Sequence, residues 1–94
     1  MPGYERAELT VELKVIPSSE AENPPREQVE AAKSAASDSG LAREAGPDVT
    51  ALAGGRREVL EASLKVMEAA LDAGAHAVEV RVEAEGEAER FGAS

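Results

Sequence analysis

Ala7-Glu8-Leu9-Thr10-Val11-Glu12-Leu13-Lys14-Val15-Ile16 alternates apolar and polar residues up to its last position. Ala7, Leu9, Val11, Leu13 and Val15 fall on one face, with Glu8, Thr10, Glu12 and Lys14 on the other. Successive side chains of a strand point to opposite faces, so this period predicts a strand with one buried and one charged face. Pro17-Ser18-Ser19 ends it, and the polar stretch from Glu20 to Asn23 reads as a loop. Late in the chain, Ala77-Val78-Glu79-Val80-Arg81-Val82-Glu83 repeats the alternation and predicts a second strand of the same kind.

Two helical periods lie between these strands. Asn23 is a good N-cap residue and Pro24 suits a first turn, so a helix is expected to open there. Val29, Ala32 and Ala36 give it a thin apolar stripe, and Gly40 falls where a left-handed C-cap belongs. An alanine-rich stripe requires close packing against whatever it covers. Leu41 to Ala45 predicts a short strand, Gly46-Pro47-Asp48 carries turn chemistry, and Val49 to Ala53 predicts a further strand. If Leu52 faces the helices, then Val49, Ala51 and Ala53 face away, which leaves both faces of that strand uncharged. The second helix is expected over about Arg56 to Ala73. Its apolar stripe is Leu60, Leu64, Met67 and Leu71, flanked by Val59, Val66 and Ala70, and Gly74 supplies its stop.

Strand–helix–strand therefore occurs twice. Right-handed crossovers and a hairpin between the middle strands lead to one economical topology. It is an α+β, ferredoxin-like βαββαβ sandwich: a four-stranded antiparallel sheet in order 4-1-3-2 with both helices on one face. The other face is left open. It carries Glu8, Thr10, Glu12, Lys14, Glu79, Arg81 and Glu83 around the neutral patch on the third strand. The 94 residues make a single domain with a core over about 7–84, followed by an acidic, glycine-containing tail over 85–94 that is expected to fray.

Composition narrows the function classes. With no cysteine there is no disulfide scaffold, Cys-ligated zinc site or cysteine nucleophile. Ten basic against nineteen acidic residues give a net charge of −9, which disfavours nucleic acid and anionic membranes as partners. No apolar stretch resembles a signal peptide or a membrane span, so a soluble cytoplasmic protein is expected. Nineteen alanines and two aromatic residues make a core of small side chains. A chain this short is expected to gain further buried area by assembling with itself, as a homodimer or homotetramer through the open sheet face.

Little in the chain points to catalysis, and no cofactor is implied. His76, the only histidine, stands at the mouth of the last strand, as a general base or ligand or simply as a polar loop residue. The carboxylates of Glu8, Glu12, Glu79 and Glu83 are interspersed with Lys14 and Arg81, a pattern of cross-strand charge pairing rather than of a metal site. Gly54-Gly55-Arg56-Arg57 opens the second helix. The free N–H groups of Gly55 and its neighbours, with Arg56 and Arg57, form a possible anion site, or else the arginines are solvated or paired with a partner subunit.

Several of these segments, taken in order, resemble the thiamine-binding-protein domain family. Glu12-Leu13-Lys14-Val15-Ile16-Pro17 is similar to its first strand, and Ser39-Gly40-Leu41 to its first helix–strand junction. Pro47-Asp48-Val49-Thr50-Ala51-Leu52-Ala53-Gly54 takes the place of its central hairpin without a gap, followed by Glu58-Val59-Leu60-Glu61. Glu68-Ala69-Ala70-Leu71-Asp72-Ala73-Gly74-Ala75 is similar to its second helix end. The chain departs from the family at Asp48, Val49, Ala53 and Met67, where Met, Gly, an acidic residue and often His are usual.

The resemblance implies a non-enzymatic protein that binds thiamine or a hydroxymethylpyrimidine-type ligand and assembles through its sheets. The implied ligand residues are Pro47, Asp48 and Thr50 of the hairpin with Ser18 and Ser19 after the first strand. The alternative is a structural or regulatory oligomeric module that has lost the ligand site. An acylphosphatase-like enzyme would share the topology, but Pro17-Ser18-Ser19-Glu20 lacks the arginine of its phosphate loop.

Overall fold

The computed structural model describes residues 7–84. Tyr4, Phe91 and the tail expected over 85–94 lie outside the described residues. Six elements follow one another: β1 (Leu9–Ile16), α1 (Pro25–Ser39), β2 (Ala42–Arg43), β3 (Val49–Gly54), α2 (Arg56–Asp72) and β4 (Ala77–Ala84). The strands form one antiparallel sheet in the order β2-β3-β1-β4, the order expected of the ferredoxin-like βαββαβ sandwich.

Register follows from burial. Val11 lies opposite Leu52 on one side and Val82 on the other, and Leu13 opposite Thr50 and Val80. A shift of one residue would turn the charged face of β1 inward. Val11, Leu13, Val15 and Leu52 join Ala32 and Ala36 of α1 and Val59, Ala62, Val66 and Ala70 of α2 in a single core. Both helices thus cover one sheet face. On the open face the register sets Lys14 opposite Glu79 and Glu12 opposite Arg81, while the ion pair described there joins Arg81 to Glu83 along β4 rather than across strands.

The caps explain where the helices end. Gly40 adopts φ 78°, and its N–H donates to Ser37 O at 3.1 Å. After α2, Gly74 takes φ 110°, and its N–H reaches Leu71 O while that of Ala75 reaches Ala70 O, both at 3.0 Å.

Four expectations are corrected. Asn23 is not the N-cap of α1. Pro24 holds that place, Pro25 is the first helical residue, and the Asn23 side chain donates instead to Ala73 O at 3.0 Å. The second strand shrinks from Leu41–Ala45 to Ala42–Arg43, because only these two residues pair with β3. α2 ends at Asp72, with Ala73 as its cap.

The fourth correction matters most. The leucine stripe of α2 does not pack on the sheet: Leu60, Leu64 and Leu71 are 45%, 54% and 52% exposed. Val59, Ala62, Ser63, Val66 and Ala70 form the inward face. Small residues let the helix lie close to the sheet, which favours that face over the bulkier leucines.

Candidate functional site

Three loops meet at one end of the sheet. β1 ends there while β3 and β4 begin there. The Val15 N–H donates to Asp48 O at 3.1 Å, and the His76 N–H donates to Ile16 O at 2.8 Å. This antiparallel arrangement brings Ser18 and Ser19, Pro47 and Asp48, and His76 to the same end.

The polypeptide at this end is held by two side chains that sequence periodicity did not single out. Gln28 of α1 is fully buried. Its Oε1 accepts from the Ser18 N–H, and its Nε2 donates to Ser18 O and Asn23 O, each at 2.8 Å. The β1–α1 loop is therefore wrapped around one amide group, which satisfies both polar ends of the Ser18 backbone. The signal was present: Gln28, Ala32 and Ala36 recur every four residues, so the glutamine sits on the buried line of α1. Lys33, one turn further on, donates its Nζ to Gly46 O at 3.0 Å and Val49 O at 2.7 Å, tying the β2–β3 turn to α1.

Of the expected ligand residues, Ser19 and Pro47 are exposed, and Ser18 and Asp48 half-buried. The Ser18 hydroxyl accepts from the Glu20 N–H at 3.1 Å and closes a local turn. Thr50 differs from the others. It sits two residues into β3, opposite Leu13, on the helix-covered side of the sheet. It is only 4% exposed, and its Oγ1 has no hydrogen-bond partner. Leaving a buried hydroxyl unpaired costs about 1–3 kcal/mol, and among the described residues Thr50 Oγ1 is the buried side-chain polar atom left without a partner.

Gly55, Arg56 and Arg57 lie at the opposite end of the sheet, where Leu9 pairs with Gly54. The Arg56 N–H at the start of α2 donates to Glu8 Oε1 at 2.8 Å. The protein's own carboxylate thus stands where an external anion would meet the helix, and both arginine side chains are exposed. A depression of about 270 Å³ separates α1 from the adjoining side of α2, lined by Ala35, Asp38, Leu41, Glu58, Glu61 and Lys65. It includes none of the expected ligand residues. On the open sheet face, Arg81 donates to Glu83 Oε2 through Nε at 3.0 Å and Nη2 at 2.8 Å. Val49, Ala51 and Ala53 form the neutral strip between the charges, as expected. Among the described residues no group of three or more His, Asp or Glu side chains is placed to hold a metal ion. No described helix is long and apolar enough to cross a membrane.

No protein-family model matches the chain. No curated protein matches it either. Among solved structures, the chain is similar to a domain of unknown function, DUF77, from Bacillus cereus. The two share 25% identity at a TM-score of 0.63, over 80% of this chain and 71% of that one. That likeness supports the ferredoxin-like fold across most of the described residues, with a neighbour whose own function is not known.

Proposed function

We propose that this chain is a non-enzymatic small-molecule-binding module that assembles with copies of itself, and that its ligand is a thiamine- or hydroxymethylpyrimidine-type compound. The observation that carries the binding reading is the buried, unpartnered hydroxyl of Thr50 beside the turn that bears Asp48. A ligand group reaching that hydroxyl would supply the hydrogen bond that the protein does not. The Asp48 carboxylate suits a cationic ring system or an aminopyrimidine, and the backbone of Ser18, held by Gln28, offers a fixed rim. The net charge of −9 attracts a cation in the same sense. The ligand class itself rests on the segments that resemble the thiamine-binding-protein domain. Assembly through the open sheet face rests on the neutral strip of Val49, Ala51 and Ala53 among charges of both signs.

Isothermal titration with thiamine, thiamine phosphate and hydroxymethylpyrimidine tests the reading. Binding is expected for the parent chain and its loss for Thr50→Val, which keeps the shape and removes only the hydroxyl. The variant should fold at least as stably as the parent, because it deletes an unpaired buried polar group. Absence of heat at millimolar ligand, or undiminished binding by Thr50→Val, would refute it.

A further inference from the structure

We infer that Lys33 and Thr50 form an anion subsite within the proposed binding site, and that the ligand carries a phosphate monoester there. The inference rests on the ligand reading above and narrows it: of the thiamine- and hydroxymethylpyrimidine-type compounds, the phosphorylated ones fit. It brings in Lys33, a residue to which neither turn chemistry nor the family resemblance points.

The subsite follows from how β3 begins. The Val15 N–H bonds Asp48 O, and bonded and free pairs alternate along an antiparallel ladder, so Val49, opposite Lys14, turns its carbonyl away from β1. On that flank β2 pairs only with Ala51 and Leu52, so no described strand meets Val49. Lys33 stands there instead, donating its Nζ to Val49 O at 2.7 Å and Gly46 O at 3.0 Å. Thr50, next along the strand, points to the helix-covered side, from which α1 reaches down with Lys33. An ammonium and a hydroxyl thus flank one peptide bond. From standard bond lengths the Nζ lies at most roughly 8 Å from Thr50 Oγ1, a span that one phosphate bridges with a hydrogen bond on either side.

Both groups are short of partners. Thr50 Oγ1 is buried with no hydrogen bond. An ammonium has three N–H donors, and Lys33 spends two of them on neutral carbonyls. Among the described residues no carboxylate pairs with it; the ion pair found there joins Arg81 to Glu83. Half-buried and uncompensated, this positive charge gains more from an anion than a fully solvated lysine would. A side chain has to move for a ligand to meet the buried Thr50 hydroxyl. Lys33 is that side chain: its flexible four-carbon stem lets the ammonium swing from the half-buried Gly46 and Val49 carbonyls toward an anion.

The rest of the turn selects the class of anion. A chain of net charge −9 repels free anions, so an anion held here is best delivered by a group that the chain attracts. Asp48, half-buried on the same turn and not paired with Lys33 among the described residues, supplies that attraction for a cationic or amino-bearing ring. The turn therefore presents one negative and one positive group, and a ring of positive character with a phosphate on a short arm presents the complement. A phosphate monoester has three terminal oxygens and close to two negative charges, enough to serve Lys33 and Thr50 together.

Isothermal titration of the full chain with thiamine and with thiamine phosphate, and an amide NMR titration with inorganic phosphate, test this. The parent should bind thiamine phosphate about tenfold or more tightly than thiamine. Lys33→Gln should lose that preference, and Lys33→Arg should keep most of it. Lys65→Gln, the same change of net charge at an exposed lysine of α2, should keep it in full. The ratio of affinities is the readout, because a turn merely loosened by the substitution would weaken both ligands alike. Equal binding of the two compounds by the parent, a preference for thiamine, or a preference that survives Lys33→Gln would overturn the inference while leaving the ligand reading in place. If neither compound binds, the ligand reading fails and the phosphate titration decides the subsite alone. Saturable shifts at Lys33, Val49 and Thr50 that Lys33→Gln abolishes would support it, and their absence would overturn it.

Discussion

Replacing Gln28 by methionine removes three hydrogen bonds while nearly preserving side-chain volume. The amide is fully buried and bonded at 2.8 Å to the Ser18 N–H, Ser18 O and Asn23 O. Each backbone group left behind is only partly buried, so water recovers some of the loss. At about 1 kcal/mol per bond the variant should be destabilised by about 3 kcal/mol. That is a large share of the roughly 5–14 kcal/mol expected for a domain of this size. With a urea m-value of about 1–1.5 kcal/mol per molar, the midpoint should fall by about 2–3 M at unchanged slope. Gln28→Glu should fall further, because its carboxylate would face the two carbonyl oxygens that the amide now serves. Equilibrium urea unfolding followed by circular dichroism measures both. A midpoint shift below about 0.5 M for Gln28→Met would show that the amide is not what holds the β1–α1 loop.

Gly74→Ala should cost about 1–3 kcal/mol, since φ of 110° strains any L side chain and the new Cβ would lie 2.5 Å from Ala21 Cβ. Adding Ala21→Gly should recover only the steric part, and thermal unfolding of the single and double variants separates the two. Glu8→Ala should lower stability by about 0.5–1 kcal/mol by uncapping α2. Sulfate should then raise the melting temperature of the variant more than that of the parent, and an equal rise would show that Glu8 does not hold the anion position. Val66→Ala should cost about 2 kcal/mol because Val66 is fully buried. Leu64→Ala, which deletes a larger side chain at 54% exposure, should cost under about 1 kcal/mol in dilute monomer. Urea unfolding at the lowest workable protein concentration compares them, and the reverse ranking would mean that the leucines form the inward face.

β1 and β4 were legible because each places charge on one face and aliphatic residues on the other, a pattern that only a half-covered sheet satisfies. Gly40 and Gly74 were legible for a local reason, the positive φ that follows each helix. The start of α1 was not, because a cap is decided by competition: Asn23 can serve its own helix or the end of another, and the tertiary contact to Ala73 O wins. The extent of β2 was not legible either, since a two-residue strand is defined by its neighbour β3 and not by its own pattern. At the candidate site, turn chemistry located Pro47 and Asp48, and the sheet topology brings them near Ser18. Gln28 and Lys33, which do the holding, were hidden because a polar residue on a helix reads as solvated until the loops it bonds are in place.

α2 shows why a periodicity can be right about the element and wrong about its orientation. Two apolar lines run along it, leucines on one and Val59, Ala62, Val66 and Ala70 on the other, and both have helical spacing. Hydrophobicity alone favours burying the leucines, at about 1.5–3 kcal/mol for each side chain fully covered. Close packing favours the small residues, which admit the helix to van der Waals contact with Val11, Leu13 and Leu52 of the sheet. A helix resting on one sheet can satisfy only one line. The leucines therefore stay about half exposed, at the expense of part of that gain, while the close contact of the small residues with the sheet is kept.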